Sequence, residues 1–166
     1  MFMNGHKRAN YLKKINYFHR QGDGCYFQPY NFGTEPQLIE FGNNVAIASG
    51  VRFVNHDIVS FVFNNLYKKN YPTKVNTISI GSNVFIGCNT IVLPGVHIGN
   101  NVIIGGGSVI THDIPDGVVA AGVPCKEIGS FEEYHMKYER ETEKYTWQQN
   151  SKDKAQKMIE YFWGRG

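Results

Sequence analysis

The sequence predicts a parallel β-helix, an all-β solenoid of short strands wound into triangular coils, on three observations. An aliphatic residue returns at a strict interval of six, at Ile80, Ile86, Val92, Ile98, Ile104 and Ile110. A helix repeats near 3.6 and a flat strand at 2, so neither explains the interval. Four places after each of the first five stands a small or β-branched residue: Val84, Thr90, Val96, Val102 and Ser108. Gly81, Gly87, Gly99 and Gly105 directly follow the aliphatic position, and Asn83, Asn89, Gly95, Asn101 and Gly107 lie three places on. A sharp corner there demands residues that tolerate positive φ. Each unit is a strand and a corner, and three units close one turn of 18 residues. Turns stack at a strand spacing of roughly 4.8 Å, with the Ile and Val side chains inward. A β-sandwich would instead alternate at two and space its strands by roughly 8–12 residues.

A length of 166 residues, 42% hydrophobic and 19% charged, fits one domain with a sizeable core. No apolar run reaches the roughly 18 residues of a membrane span, and Met1–Arg8 lacks the apolar segment of a signal peptide, so a cytoplasmic location is expected. Cys25, Cys88 and Cys125 are scattered without zinc spacing, which implies neither a disulfide framework nor a metal. A net charge of +3 is too mild to indicate nucleic acid and does not oppose an anionic small ligand.

In chain order, Ala9, Leu12, Ile15 and Phe18 mark one face of an N-terminal helix over 1–22, ended by Gly22, that caps the open edge of the solenoid. Residues 23–56 hold the first coils; Cys25–Gln37 shows no clean hexad, and the rhythm begins with Phe41, Ile47 and Phe53 inward. It stops at His56. Residues 57–77 form a projecting loop without hexads, in which Phe61, Phe63, Tyr67 and Tyr71 alternate with Lys68, Lys69 and Lys74. An irregular excursion of that length is usually functional or disordered, although the aromatics could equally form a satellite cluster of their own. Hexapeptide coils fill 78–128, so that coils run from about Phe41 to Ala121, and a helical tail follows over 129–166, with Ala155, Met158, Ile159 and Phe162 on one face packed outside the solenoid.

The motifs GNNVIIGGGSVITHDIP and VVAAGVPCK are very similar to the closing coils of galactoside and maltose O-acetyltransferases, members of the hexapeptide-repeat acyltransferases. The layout of a basic N-terminal helix, FVNHD, a projecting loop and the long hexad run resembles bacterial polysaccharide O-acetyltransferases. The resemblance spans about Lys7 to Ile128. It implies a left-handed β-helix, a homotrimer and acetyl-CoA bound between neighbouring subunits. It places the catalytic histidine on His56 and acetyl-CoA contacts on Cys88, Gly106, Thr111, His112 and Lys126, with Lys126 at the phosphates. Cys88 stands where the sugar enzymes have serine, and His112 where they have lysine. Asn55, Asp57 and Phe85, the last at a position that is tryptophan in the galactoside enzyme, are the implied acceptor contacts.

His56 is also the best base on chemical grounds, since an unperturbed imidazole titrates near neutrality and acyl transfer to a hydroxyl requires removal of a proton. His97 sits beside inward Val96 and should point outward, while His6, His19 and His135 fall in predicted helices. Adjacent residues of an extended chain point to opposite sides, so a backbone carbonyl or another chain suits the ring better than Asp57. Cys88 as an acetyl-carrying nucleophile is the rival scheme, but no histidine neighbours it in sequence. The expected activity is acetyl-CoA-dependent O-acetylation of a sugar hydroxyl, with an amino-sugar N-acetyltransferase as the alternative. A zinc hydratase on the same solenoid needs three converging histidines, and His56, His97 and His112 lack the spacing. A non-catalytic scaffold needs no base before a projecting loop.

Overall fold

The computed structural model describes residues 3–164; residues 1, 2, 165 and 166, the ends of the expected domain, lie outside them. Two compact units divide after Phe131.

The first unit opens with α1 (Gly5–Lys14), whose N-cap Asn4 accepts from the Lys7 N–H at 2.9 Å. The helix ends at Ile15 because Asn16 takes φ 50°, the left-handed conformation that a short polar side chain tolerates. It is therefore shorter than 1–22, and Gly22 is not its stop. Phe18, expected on a helix face, lies 5% exposed in the solenoid core, edge-on to Phe27, Phe32 and Phe41. As a cap, α1 does what the sequence predicts: Ala9 is fully buried, and the Arg8 guanidinium donates to the carbonyls of Phe27 and Gln28 at 2.6 and 2.7 Å.

The first coil contributes β1 (Arg20–Gln21) and β2 (Tyr26–Phe27). The second contributes β3 (Ile39–Phe41), β4 (Val45–Ile47) and β5 (Arg52–Phe53). An excursion follows, made of β6 (His56–Asp57), α2 (Val59–Tyr67) and β7 (Lys74–Val75). The third coil has β8 (Ile78–Ile80), β9 (Val84–Ile86) and β10 (Ile91–Val92). The fourth has β11 (His97–Ile98), β12 (Val102–Ile104) and β13 (Val109–Ile110), before β14 (Val118–Ala121) and β15 (Lys126–Ser130). Successive strands visit three sheets in rotation: β1-β3-β8-β11, then β2-β4-β9-β12-β14, then β5-β10-β13. All of these pairs are parallel, and antiparallel β15 covers the last strand of the second sheet.

The pairing register bears out the 18-residue turn. Ile80 faces Ile98, Ile86 faces Ile104 and Val92 faces Ile110, each 18 residues on. Across the 21 residues of the excursion the offset becomes 39, pairing Phe41, Ile47 and Phe53 with Ile80, Ile86 and Val92. These nine side chains are all 0–4% exposed. Asn83, Asn89 and Asn101 take φ of 58°, 58° and 55°, and Gly95 and Gly107 are also at positive φ.

Two parts of the first unit depart from the sequence expectation. A whole coil precedes Phe41, at an offset of 20 rather than 18, so Gln21 faces Phe41 and Phe27 faces Ile47. The two extra residues break the hexad, and Phe27 and Phe32, both fully buried, fill an end of the core that shorter aliphatic chains would leave open. The excursion is also ordered rather than irregular: β6 and β7 pair antiparallel around α2. Two-residue strands are too short to print a period of their own, and the nine-residue helix interrupts the hexads instead of continuing them.

In the second unit, α3 (Phe131–Thr142) begins at the divide and α4 (Lys154–Trp163) carries the predicted apolar face. Tyr145 stacks on Trp147 with ring centroids 4.3 Å apart, beside Tyr161 and Phe162.

Candidate active site

Each coil turns three corners. Between the first and second sheets, Asn44 Nδ2 donates to Asn83 Oδ1 at 3.0 Å and Asn83 Nδ2 to Asn101 Oδ1 at 2.8 Å, a stacked ladder of left-handed asparagines. The corner between the second and third sheets carries Gly50, Cys88 and Gly106. The corner between the third and first sheets carries Asn55, His56 and, two coils along, Thr111 and His112. It is from this last corner that the α2 hairpin leaves.

His56 is half-buried, its side chain 29% exposed. Its Nδ1 lies 2.8 Å from Glu35 Oε2 and 3.1 Å from Thr34 Oγ1, and the Thr34 hydroxyl donates to the same carboxylate oxygen at 2.7 Å. The Thr34 hydroxyl first, and His56 second, hold the Glu35 carboxyl below the usual range, so it is ionised at neutral pH and can only accept. Nδ1 is therefore the donor in this pair, and Nε2 is the ring nitrogen that Glu35 and Thr34 do not engage. Glu35 is the residue that sequence reasoning missed. It lies 21 positions before His56, on the first coil, and only closure of that coil brings the two together. Among the described residues, neither Asp57 nor a backbone carbonyl holds the ring.

Asn55 is 1% exposed, and neither its Oδ1 nor its Nδ2 has a hydrogen-bond partner among the described residues. A buried amide left unpaired is costly. Asp57 Oδ1 accepts from the Val59 N–H at 3.0 Å, so this side chain starts α2. A groove of about 630 Å³ is lined by Tyr30, Asn31, Gly33, Arg52 and Val54 of the first coils; neither Glu35 nor His56 lines it.

The remaining predicted residues lie elsewhere. Cys88 is exposed, and its carbonyl accepts from the Gly107 N–H at 2.7 Å. Gly106 stands directly over it, where an added Cβ would come 3.1 Å from that carbonyl and 3.2 Å from Sγ, so the absent side chain keeps this corner open. Thr111 Oγ1 and His112 Nδ1 are 2.7 Å apart. Lys126 is exposed on β15, and Phe85, 44% exposed, points outward from the second sheet. Within one chain His56 and the Cys88–Gly106 corner stand on different corners of the prism. Among the other histidines, His97 points outward as predicted; His19 lies beyond α1 rather than in it, and His6 bonds the Cys25 carbonyl at 3.2 Å.

Residues 77–112 match the bacterial transferase hexapeptide model of six repeats. The chain is similar to the protein CapG of Staphylococcus aureus, 45% identical over 121 residues, covering 70% of this chain and 68% of that one. It is also similar to the galactoside O-acetyltransferase of Escherichia coli strain K12, 42% identical over 90 residues, covering 54% of this chain but only 43% of the enzyme. Among solved structures, a galactoside acetyltransferase in complex with coenzyme A aligns with a TM-score of 0.53 at 28% identity, over 86% of this chain and 76% of that one. Coils of one register, repeat and sequence thus agree: the chain belongs to the hexapeptide-repeat acyltransferases.

Proposed function

We propose that this protein is an acetyl-CoA-dependent O-acetyltransferase acting on a sugar hydroxyl, with His56 as general base and direct transfer in a ternary complex. The observation that carries this reading is the Glu35–His56 pair, a carboxylate-oriented imidazole with Nε2 free at the corner where the hairpin leaves the coil. Nε2 takes the hydroxyl proton as the oxygen attacks the thioester carbonyl. The carbon–sulfur bond then breaks, and the proton passes to the departing thiolate of coenzyme A. Backbone N–H groups of the open corner beside Cys88 would meet the developing oxyanion. Asn55, with its unpaired amide, and Asp57 and Phe85 are the proposed acceptor contacts; Cys88, Gly106, Thr111, His112 and Lys126 are the proposed cofactor contacts. The CoA-bound relative supports that assignment of the co-substrate.

The same proposal includes a left-handed coil and a homotrimer. Since His56 and the Cys88–Gly106 corner are apart within one chain, a complete site would draw them from two subunits. The sheet faces favour such packing. Outward positions read Arg20, Glu40, Ser79 and His97 on the first sheet, Tyr26, Ala46, Phe85, Ile103 and Val119 on the second, and Arg52, Ile91 and Val109 on the third. The first sheet is polar throughout, whereas the second sheet and, past Arg52, the third are apolar, which suits a wedge that buries those two sides. A cytoplasmic location remains part of the proposal. No described helix is long and apolar enough to cross a membrane.

His56→Ala should lower kcat by roughly 10²–10⁴, as for loss of a general base, with calorimetric affinity for coenzyme A nearly intact. Cys88→Ser should keep most activity. An inactive Cys88→Ser protein, or an acetylated Cys88 trapped before acceptor is added, would replace direct transfer with an acyl-enzyme. Acetylation of amino sugars in preference to hydroxyls would favour the N-acetyltransferase reading, for which the nitrogen nucleophile needs the same base.

A further inference from the structure

The α2 hairpin has two unlike sides. On its inner side, Asn64 bonds the backbone of Tyr71 in both directions, at 3.0 and 2.6 Å, and Val59, Ser60 and Phe63 line a cleft with Pro72 and Lys74. That side is occupied by the hairpin's own return. On the other, Ile58, Phe61, Val62 and Leu66 fall at i, i+3, i+4 and i+8, one helical stripe, and they are 67%, 67%, 58% and 65% exposed. No residue of α2 is buried. The charge around this stripe is mostly positive: residues 58–77 contain Lys68, Lys69 and Lys74 and no Asp or Glu, and the neighbouring carboxylate, Asp57, lies opposite Lys74 at the base of the hairpin. Lys68 follows the helix directly, and Tyr67, 60% exposed, stands at the boundary between the apolar stripe and the lysines.

We propose that this hairpin docks on an anionic lipid bilayer. The stripe enters the boundary between headgroups and acyl chains, Tyr67 sits at headgroup level, and the three lysines meet anionic headgroups. An apolar stripe bordered by cations is the chemistry that an anionic membrane surface recognises. A second copy of this chain fits less well, because the sheet faces already offer apolar surface for self-association. Docking would hold the His56 corner, from which the hairpin grows, against the bilayer, where it would favour acceptors anchored there. It requires no membrane-spanning segment.

Flotation of the full-length protein with phosphatidylcholine vesicles, with and without phosphatidylglycerol, tests this in the absence of coenzyme A or acceptor, so the result does not depend on the catalytic reading. Binding should appear only with phosphatidylglycerol and weaken as salt is raised. Lys68→Glu with Lys69→Glu should lower the partition coefficient by roughly tenfold or more. Phe61→Asp with Leu66→Asp should abolish binding while leaving acetyl transfer to a soluble sugar unchanged. The proposal is overturned if the wild-type protein stays with the aqueous fraction at low salt, or if the aspartate variant still floats. It is equally overturned if light scattering shows that the aspartate variant has lost its oligomeric state, since the stripe would then be the seat of a second copy.

Discussion

Two corners of the same coil obey opposite rules. At the corner between the first and second sheets, Asn44, Asn83 and Asn101 repeat one conformation and one hydrogen bond from coil to coil. At the corner between the third and first sheets the repeat is cut by 21 residues, and there the chain places a buried unpaired amide, a carboxylate-held histidine and an exposed apolar helix. The first corner pairs its asparagines with one another, so its side chains serve the stack. The second leaves polar and apolar groups unmatched. A stacked coil can carry such groups because each turn is supported by its neighbours through sheets that continue past the break.

The two corners share one core, so the harshest test removes both. Ile98 is fully buried and faces Ile80. Ile98→Asp would bury an unpaired charge at a cost of several kcal/mol, and circular dichroism should find no cooperative melt; a soluble variant that melts cooperatively would mean that the stacked core is not what holds the coils.

Glu35→Gln addresses the interrupted corner alone. The amide can still accept from Nδ1–H but cannot stabilise the imidazolium formed during transfer. Steady-state kinetics should show a kcat loss smaller than the roughly 10²–10⁴ of removing the base, with KM for acetyl-CoA unchanged. Full activity would reduce Glu35 to a surface contact.

Asn83→Ala addresses the regular corner. It removes two ladder hydrogen bonds and places alanine at φ 58°. A stability loss of about 1–3 kcal/mol is expected by denaturant titration, with kcat unchanged. Asn83→Gly should recover part of it, because glycine accepts that backbone.

The smallest effect is on pH. Glu35 is held below its ordinary value of 4.5 by Thr34 and then His56, and Asp116 below 3.8 by the Asn100 backbone and then its side chain. A carboxyl whose folded pKa is depressed adds stability above its unfolded pKa and loses it as pH falls through the folded value. Melting temperatures should therefore decline below those ordinary values. Asp116→Asn should remove part of the decline while leaving neutral-pH activity unchanged, whereas Glu35→Gln should remove part of it and lower activity as well.

The sequence alone determined the repeat, the inward set from Phe41 to Ile110 and the positive-φ corners. Each of these is local: in a coil of constant pitch, the contact that buries Ile98 recurs every six residues along the chain and is therefore written in it. The end of α1 was also local, in Asn16, but its signal is one residue rather than a period, and Gly22 was the more conspicuous stop. Tertiary structure decided the rest. The first coil pairs at an offset of 20 and fills its core with Phe27 and Phe32, so no hexad announces it. Glu35 reaches His56 only because that coil closes, and nothing in either residue's neighbourhood records the meeting. The hairpin's two sides likewise depend on Asn64 clasping Tyr71 across the return of the chain. Periodicity reports the contacts that every coil makes; the His56 corner is built from contacts that only one coil makes, and those exist only once the chain has folded.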